Sequence, residues 1–147
     1  ERIKGKEYVV YPTTESNKIL GALIAPFFSM NQIEEPKYTD LETVPNDYGN
    51  RDYTIEVSVP EFNCVCPRTG LPDFGTIYIT YVPDKLIVEL KSLKLYMVKF
   101  RNMGIFHEYV TNRILDDFKK ACNPKSIKIV GDFNPRGGIK TVVKSSL

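Results

Sequence analysis

Hydrophobic positions recur with period two from Tyr53 onward, where Tyr53, Ile55, Val57 and Val59 alternate with Thr54, Glu56 and Ser58. A strand with one buried face has this pattern, because successive side chains point to opposite sides of a sheet. A second β-branched and aromatic run, Thr76 to Val82 (TIYITYV), predicts another strand, and Pro83-Asp84 turns the chain into Leu86 to Glu89. Between the two strands, Pro60 to Phe74 reads PEFNCVCPRTGLPDF and is expected to be a loop.

After Glu89 the period lengthens. Leu93, Met97 and Phe100 share one helical face opposite Lys91, Lys94 and Arg101, and Asn102 to Gly104 stops the helix. A second helix is predicted from about Phe106 to Ala121, where Phe106, Val110, Ile114 and Phe118 recur every four residues until Asn123-Pro124 ends the run. Two more strands follow, Ser126 to Phe133 and Ile139 to Lys144, joined by a turn at Asn134 to Gly138.

The order strand, strand, helix, helix, strand, strand, with short connections, predicts an α+β domain over residues 51–147. Its four-stranded antiparallel sheet carries both helices on one face. The other face is left to pack against something, such as another subunit. Residues 1–50 carry no comparable period: Pro12, Pro26, Pro36 and Pro45 interrupt every candidate element. They are expected to form an irregular N-terminal arm or lid around a single domain.

Composition narrows the function. With 147 residues, 42% of them hydrophobic, the chain has material for one real core. Its 20 basic and 18 acidic residues leave a net charge of +2, too little for a protein whose affinity comes from neutralising phosphates, so no nucleic-acid partner is expected. The longest apolar run, Ile19 to Phe28, contains Pro26 and falls short of the roughly 20 residues that span a bilayer, and no signal-like apolar stretch follows the first residues. No membrane partner is expected. Three cysteines, an odd number, fit a reducing compartment better than a disulfide framework, which points to the cytoplasm.

Candidate chemistry concentrates in the segment between the first two strands. A Cys66 thiolate can attack an electrophilic carbon and Asp73 can deliver a proton, although a lone cysteine is more often an inert thiol. Cys64, Cys66, Cys122 and His107 are weighed as zinc ligands, but the C-x-C pair lacks a second close pair and no metal is expected. His107, the single histidine, and Glu108 stand at the start of the second helix, where an acid is also a routine helix-start residue. No G-x-G-x-x-G is present, so nothing in the spacing argues for a dinucleotide.

Five motifs agree with one family. Glu89-Leu90-Lys91-Ser92-Leu93-Lys94-Leu95-Tyr96 is the most specific. Beside it stand Cys66-Pro67-x-Thr69-Gly70-x-Pro72-Asp73-Phe74, Phe100-Arg101-Asn102, Phe106-His107-Glu108 and Pro135-Arg136-Gly137-Gly138. Over about residues 38–140 the chain resembles the single-module nitrile reductases of queuosine biosynthesis, members of the tunnelling-fold group that includes GTP cyclohydrolase I. The resemblance implies reduction of 7-cyano-7-deazaguanine with NADPH, in a homo-oligomer whose sheets close into a barrel with sites between subunits. It implies Cys66 as nucleophile, Asp73 as proton donor with His107 in the catalytic set, and Val88, Glu89, Leu90, His107 and Glu108 around the substrate. Leu90, Lys91, Arg136 and Gly137 are implied as cofactor contacts. Three rivals remain: a relative that converts a tRNA-borne nitrile to an amidine, a zinc-dependent cyclohydrolase of the same fold, and a purine-binding module without catalysis.

Overall fold

The computed structural model describes residues 34–147 together with one short antiparallel pair, β1 (Arg2–Ile3) and β2 (Lys6–Glu7). The chain divides after Ile33 into two compact units, Glu1–Ile33 and Glu34–Leu147. The lid expected of the N-terminal arm therefore falls largely outside the described residues. Residues 34–50 belong to the second unit and hold a 3-10 turn (Tyr38–Asp40) and β3 (Thr43–Pro45).

The remaining elements are β4 (Ile55–Val65), β5 (Pro72–Val82), β6 (Leu86–Val88), α1 (Leu90–Val98), α2 (His107–Cys122), β7 (Ser126–Arg136) and β8 (Ile139–Ser146). β4, β5, β7 and β8 form one antiparallel sheet in that order, while β3 pairs with β6. The α+β class and the antiparallel four-stranded sheet match the sequence expectation. The β3–β6 pair was not foreseen, because Val44 and Pro45 give no period to read.

Alternation on the central strands sets the core. Asp73, Gly75, Ile77, Ile79 and Tyr81 of β5, and Ile127, Ile129, Gly131 and Phe133 of β7, are all buried. Over them lie Leu93, Tyr96 and Met97 of α1, Phe100 beyond it, and Val110, Ile114, Leu115 and Phe118 of α2. On the opposite sheet face Phe74, Tyr78 and Val142 are exposed, and no described element packs over it.

The start of α1 and the end of α2 follow from local chemistry. Glu89 caps α1 with its carboxylate, which accepts from the amides of Lys91 and Ser92 at 2.7 Å each. Asn123 ends α2 in the left-handed region at φ 42°, and its amide donates to Lys119 O.

The segment expected to be a loop over 60–74 is mostly strand, with only residues 66–71 turning. The register shifts between Val59 and Phe62, so one extra residue at Pro60-Glu61 makes a bulge. Buried positions change from Ile55, Val57 and Val59 to Phe62, Cys64 and Cys66, and this change of phase hides the continuation of the strand. Pro60 is tolerated because β4 is an edge strand. β7 carries a matching shift between Phe133 and Arg136.

Gly131 shows how tightly the helix-covered face is packed, since a Cβ there would stand 2.6 Å from both Phe133 Cε2 and Thr111 Oγ1. Gly131→Ala is therefore expected to destabilise the fold by about 1–3 kcal/mol through overpacking. Urea unfolding at fixed protein concentration checks this: the midpoint should fall while the slope is unchanged.

Candidate active site

The nucleophile position is fixed by backbone bonds on both sides. Cys66 N–H donates to Leu71 O at 2.8 Å and Gly70 N–H donates to Cys66 O at 2.9 Å, closing a turn in which Gly70 adopts φ 70°. One residue earlier, Val65 N–H donates to Met103 O and Ile105 N–H to Val65 O, each at 3.0 Å. This parallel bridge lays the loop before α2 along the end of β4 and so delivers His107 beside Cys66. The apolar Met103 and Ile105 sit against the core there, which accounts for the hydrophobic character of that loop.

Asp73 lies on β5 directly opposite Cys64 and is only 2% exposed. Its Oδ2 is 3.1 Å from His107 Nε2, and its Oδ1 is 2.6 Å from Arg136 Nη1. The second contact is an ion pair by distance but is not aligned as a hydrogen bond, so Oδ1 keeps unused acceptor capacity. The Asp73 Oδ2 to His107 Nε2 contact is a hydrogen bond through one proton, which the pair holds between them.

The imidazole is held flat. His107 stacks on Phe133 with ring centroids 3.8 Å apart and planes within 1°. Phe133 in turn lies between Gly75 and Gly131, where any Cβ would come within 3 Å of its atoms. Two glycines therefore set the height of the aromatic platform, and the platform sets the plane of the histidine.

The three thiols are in different states. Burial pushes Cys64 up to about 12, aided by the negative charge of Asp73, and burial alone raises Cys122 to about 11. Cys66 is drawn down to about 6 by the Thr69 hydroxyl, then the Arg136 guanidinium, then the amides of Arg68 and Thr69. A thiol with that value is mostly thiolate at neutral pH.

Cys66, Asp73, Phe106, His107, Glu108 and Arg136 line one cavity of about 180 Å³, with Pro67, Ile105 and Thr141 completing it. Five of the expected site residues thus meet: Cys66, Asp73, His107, Glu108 and Arg136. Val88, Glu89, Leu90 and Lys91 do not line this cavity, and both oxygens of Glu89 are occupied as the α1 cap. Gly137 follows Arg136 in the β7–β8 turn with φ 56° and open space where a Cβ would stand. Thr69, Phe106 and Thr141 carry no sequence-assigned role. The Cys66-to-Asp73 motif contains Thr69, but nothing in its spacing says that the hydroxyl turns back to the sulfur.

A larger cavity of about 370 Å³ lies between edge strand β4 and α1, lined by Val57, Phe62, Leu90, Leu93, Lys94 and Met97 among others. It contains no thiol. The zinc arrangement weighed from sequence fails on distance: His107 and Cys122 are the first and last residues of α2, roughly 22 Å apart along its axis. Among the described residues no three His, Cys, Asp or Glu side chains converge on one point.

The family described as QueF-like protein matches residues 72–147, a span that includes Asp73, His107, Glu108 and Arg136. This chain belongs to the QueF-like family. Among its relatives, the NADPH-dependent 7-cyano-7-deazaguanine reductase of Chloroherpeton thalassium is 62% identical over 106 residues, covering 72% of this chain and 91% of that protein. The enzyme of the same name from Chlorobaculum parvum is 59% identical over the same shares. Among solved structures, the apo archaeosine synthase QueF-Like superposes with a TM-score of 0.60 at 20% identity, covering 63% of this chain and 91% of that one, which shows a shared fold.

For this QueF-like chain the thiol contrast yields a direct expectation. Alkylation of the folded protein by iodoacetamide should modify one cysteine, Cys66, with a rate that rises through about pH 6 and levels off above pH 7. Thiolate is the reactive form, so a depressed value places the rise at lower pH than the roughly 8.5 of an ordinary thiol. Peptide mapping identifies the site, and a rise near pH 8.5 would contradict the site described.

Proposed function

We propose that this chain is a cytoplasmic NADPH-dependent reductase of 7-cyano-7-deazaguanine, taking the nitrile to an aminomethyl group through a covalent thioimide on Cys66. One observation carries the reading. The single thiol held as thiolate shares a cavity with a buried carboxylate and imidazole, in a family whose relatives at 59–62% identity bear that enzyme's name. A cytoplasmic location follows from the need to keep that thiol reduced.

The residues account for the chemistry in order. Cys66 thiolate adds to the nitrile carbon, forming a C–S bond. The displaced electron pair goes to nitrogen, which takes the proton held between Asp73 Oδ2 and His107 Nε2, with Asp73 as the donor and the pair left one proton short until solvent restores it. NADPH supplies hydride when bound, one equivalent for each of the two reductions. After the first, the C–S bond breaks and returns the thiolate to its Thr69 and Arg136 partners. The resulting imine must then be kept from water until the second.

Substrate and cofactor find matching groups. The guanine-like edge presents adjacent N–H donors, and the exposed Glu108 carboxylate at the cavity accepts such donors in pairs. The half-exposed ring of Phe106 offers the plane of the base a stacking surface. Arg136, with its side chain 46% exposed, and the bare backbone of Gly137 suit an anionic cofactor, and Lys91 offers a second exposed cation at the start of α1.

Among the described residues the site is incomplete. Its cavity is smaller than the roughly 300 Å³ at which ligand pockets usually begin. Among the described residues β4 and β8 each leave one long edge unpaired, an arrangement that invites pairing with another copy. In our reading β4 of one protomer pairs with β8 of the next, closing the sheets into a barrel. The neighbour's Val88 to Lys91 then complete the substrate and cofactor positions that they do not reach within their own chain.

The alternative, amidine formation on tRNA, rests on the same thioimide and on the fold shared with the archaeosine synthase. The net charge of +2 argues against a tRNA substrate. NADPH oxidation with the free base as substrate decides between them.

Incubated with 7-cyano-7-deazaguanine alone, the wild type should gain the full mass of the substrate, because addition to a nitrile expels nothing. Cys66→Ala should abolish both adduct and turnover, whereas Cys64→Ala should keep the adduct. Asp73→Asn should slow turnover by about 10²-fold or more, as loss of a general acid does. Intact-protein mass spectra and steady-state rates check these outcomes, and an adduct surviving in Cys66→Ala overturns the mechanism.

Glu108→Ala should weaken substrate binding by about 2–3 kcal/mol, since charge-assisted donors lose their partner. Calorimetric titration on the Cys66→Ala background separates this loss from covalent capture. Unchanged affinity would leave Glu108 as an ordinary helix-start acid.

A further inference from the structure

We propose that Arg136 is a positioning residue for the nucleophile, gathering the Asp73 carboxylate and the Cys66 sulfur into one charge cluster before any cofactor is bound. The inference rests on Cys66 being the nucleophile. It gives Arg136 a role separate from the cofactor contact proposed above.

Three features of the backbone aim this side chain. First, the register shift between Phe133 and Arg136 puts one extra residue into β7, so that Arg136 stands opposite Ile139 while Phe133 stands opposite Thr141. Arg136 therefore shares a face with Phe133 and Thr141, whereas in an unbroken strand, three residues on from Phe133, it would face the other way. Second, Gly137 and Gly138 close the hairpin immediately afterwards with φ 56° and 80°, the two-residue geometry that fixes register in a twisted pair. Third, Arg136 reaches from a half-exposed position to within 2.6 Å of a carboxylate that is 2% exposed. A buried carboxylate needs such a partner, and no lysine or other arginine among the described residues pairs with Asp73.

The charged and titratable groups facing Cys66 come from four elements: Cys64 from β4, Asp73 from β5, His107 and Glu108 from α2, and Arg136 from β7. Arg136 is the one permanent cation of the set. The Thr69 hydroxyl and the amides of Arg68 and Thr69 add dipoles but no charge. Removing the guanidinium leaves the sulfur in a cavity shared with the carboxyl groups of Asp73 and Glu108 and with no permanent cation.

The test is run on the full chain with no cofactor present, so that any effect on NADPH binding is invisible. Rates of iodoacetamide alkylation and of adduct formation with 7-cyano-7-deazaguanine are measured from pH 5 to 9 for wild type, R136Q, R136M and R136K. In R136Q and R136M the pH midpoint should rise by one unit or more, and adduct formation near pH 6 should slow about tenfold, one pH unit being a tenfold change in thiolate. R136K, which keeps the charge, should return the midpoint to within about half a unit of wild type. Modification of a single thiol per chain, read by mass, shows that each variant is folded, because unfolding would expose three. Wild-type midpoints in folded R136Q or R136M, or failure of R136K to restore the midpoint, overturn the proposal. Wild-type midpoints combined with a raised KM for NADPH in a separate steady-state assay would assign Arg136 to the cofactor alone and overturn the proposal.

Discussion

Side chains of a strand alternate between two faces, and this alternation decides which groups meet over the sheet. The helix-covered face is dry, and the opposite face carries the exposed Phe74, Tyr78 and Val142. Cys66 and Arg136 point to the helix-covered side because β4 and β7 each contain one extra residue, at Pro60-Glu61 and Asn134-Pro135. Without those two residues the thiol and the guanidinium would fall on the open face, leaving Asp73 and His107 without either. The bulges lie on the two strands that flank β5, which places the shifted residues on either side of Asp73.

A charge on a dry face has to be neutralised locally, and that requirement organises the site around Asp73. Taking a carboxylate out of water costs several kcal/mol unless cations or donors surround it. Here His107 and Arg136 take one oxygen each. A second buried acid, Asp117, shows that burial alone makes no site. Tyr96 Oη donates to it at 2.8 Å and Arg113 lies 3.9 Å away, while burial raises its pKa. Asp117 lines none of the cavities described above and binds α1 to α2. What distinguishes Asp73 is a spare acceptor on Oδ1, a thiolate neighbour and an opening.

Much of this architecture was legible because it depends on period. Tyr53 to Val59, Thr76 to Val82 and the four-residue recurrence through α2 are local patterns, and they lie in strands and a helix as read except that the first strand begins at Ile55. The bulges were not legible, since a change of phase looks like the end of a strand, and Pro60 strengthened that impression. Motif resemblance brought together Cys66, Asp73, His107, Glu108 and Arg136, which the cavity also does. It gave no reason for their meeting, because Asp73 is 34 residues from His107 in the chain and their contact needs the bridge from Val65 to Gly104. Glu89 illustrates the converse. Its place in the signature implies a ligand contact, and within its own chain the carboxylate also accepts from two amides at 2.7 Å as a helix cap, a local role that the motif does not announce.

The difference between Cys64 and Cys66 follows from where each stands on its strand. Both face the core and they are two residues apart. Cys64 lies inside the ladder opposite Asp73, where neighbouring backbone amides are spent on strand pairing and the nearest charge is negative. Ionising it would put two negative charges side by side in a dry place, and its thiol is driven up to about 12. Cys66 is the first residue after the ladder ends. From there the chain turns back, so the amides of Arg68 and Thr69 and the Thr69 hydroxyl are free to point at the sulfur, with Arg136 arriving from the neighbouring hairpin. A nucleophile one turn deeper would have lost those donors. One turn further out, it would have lost Asp73 and His107. The end of the strand is the position where a sulfur meets both sets, and the bulge at Pro60-Glu61 makes that end face inward.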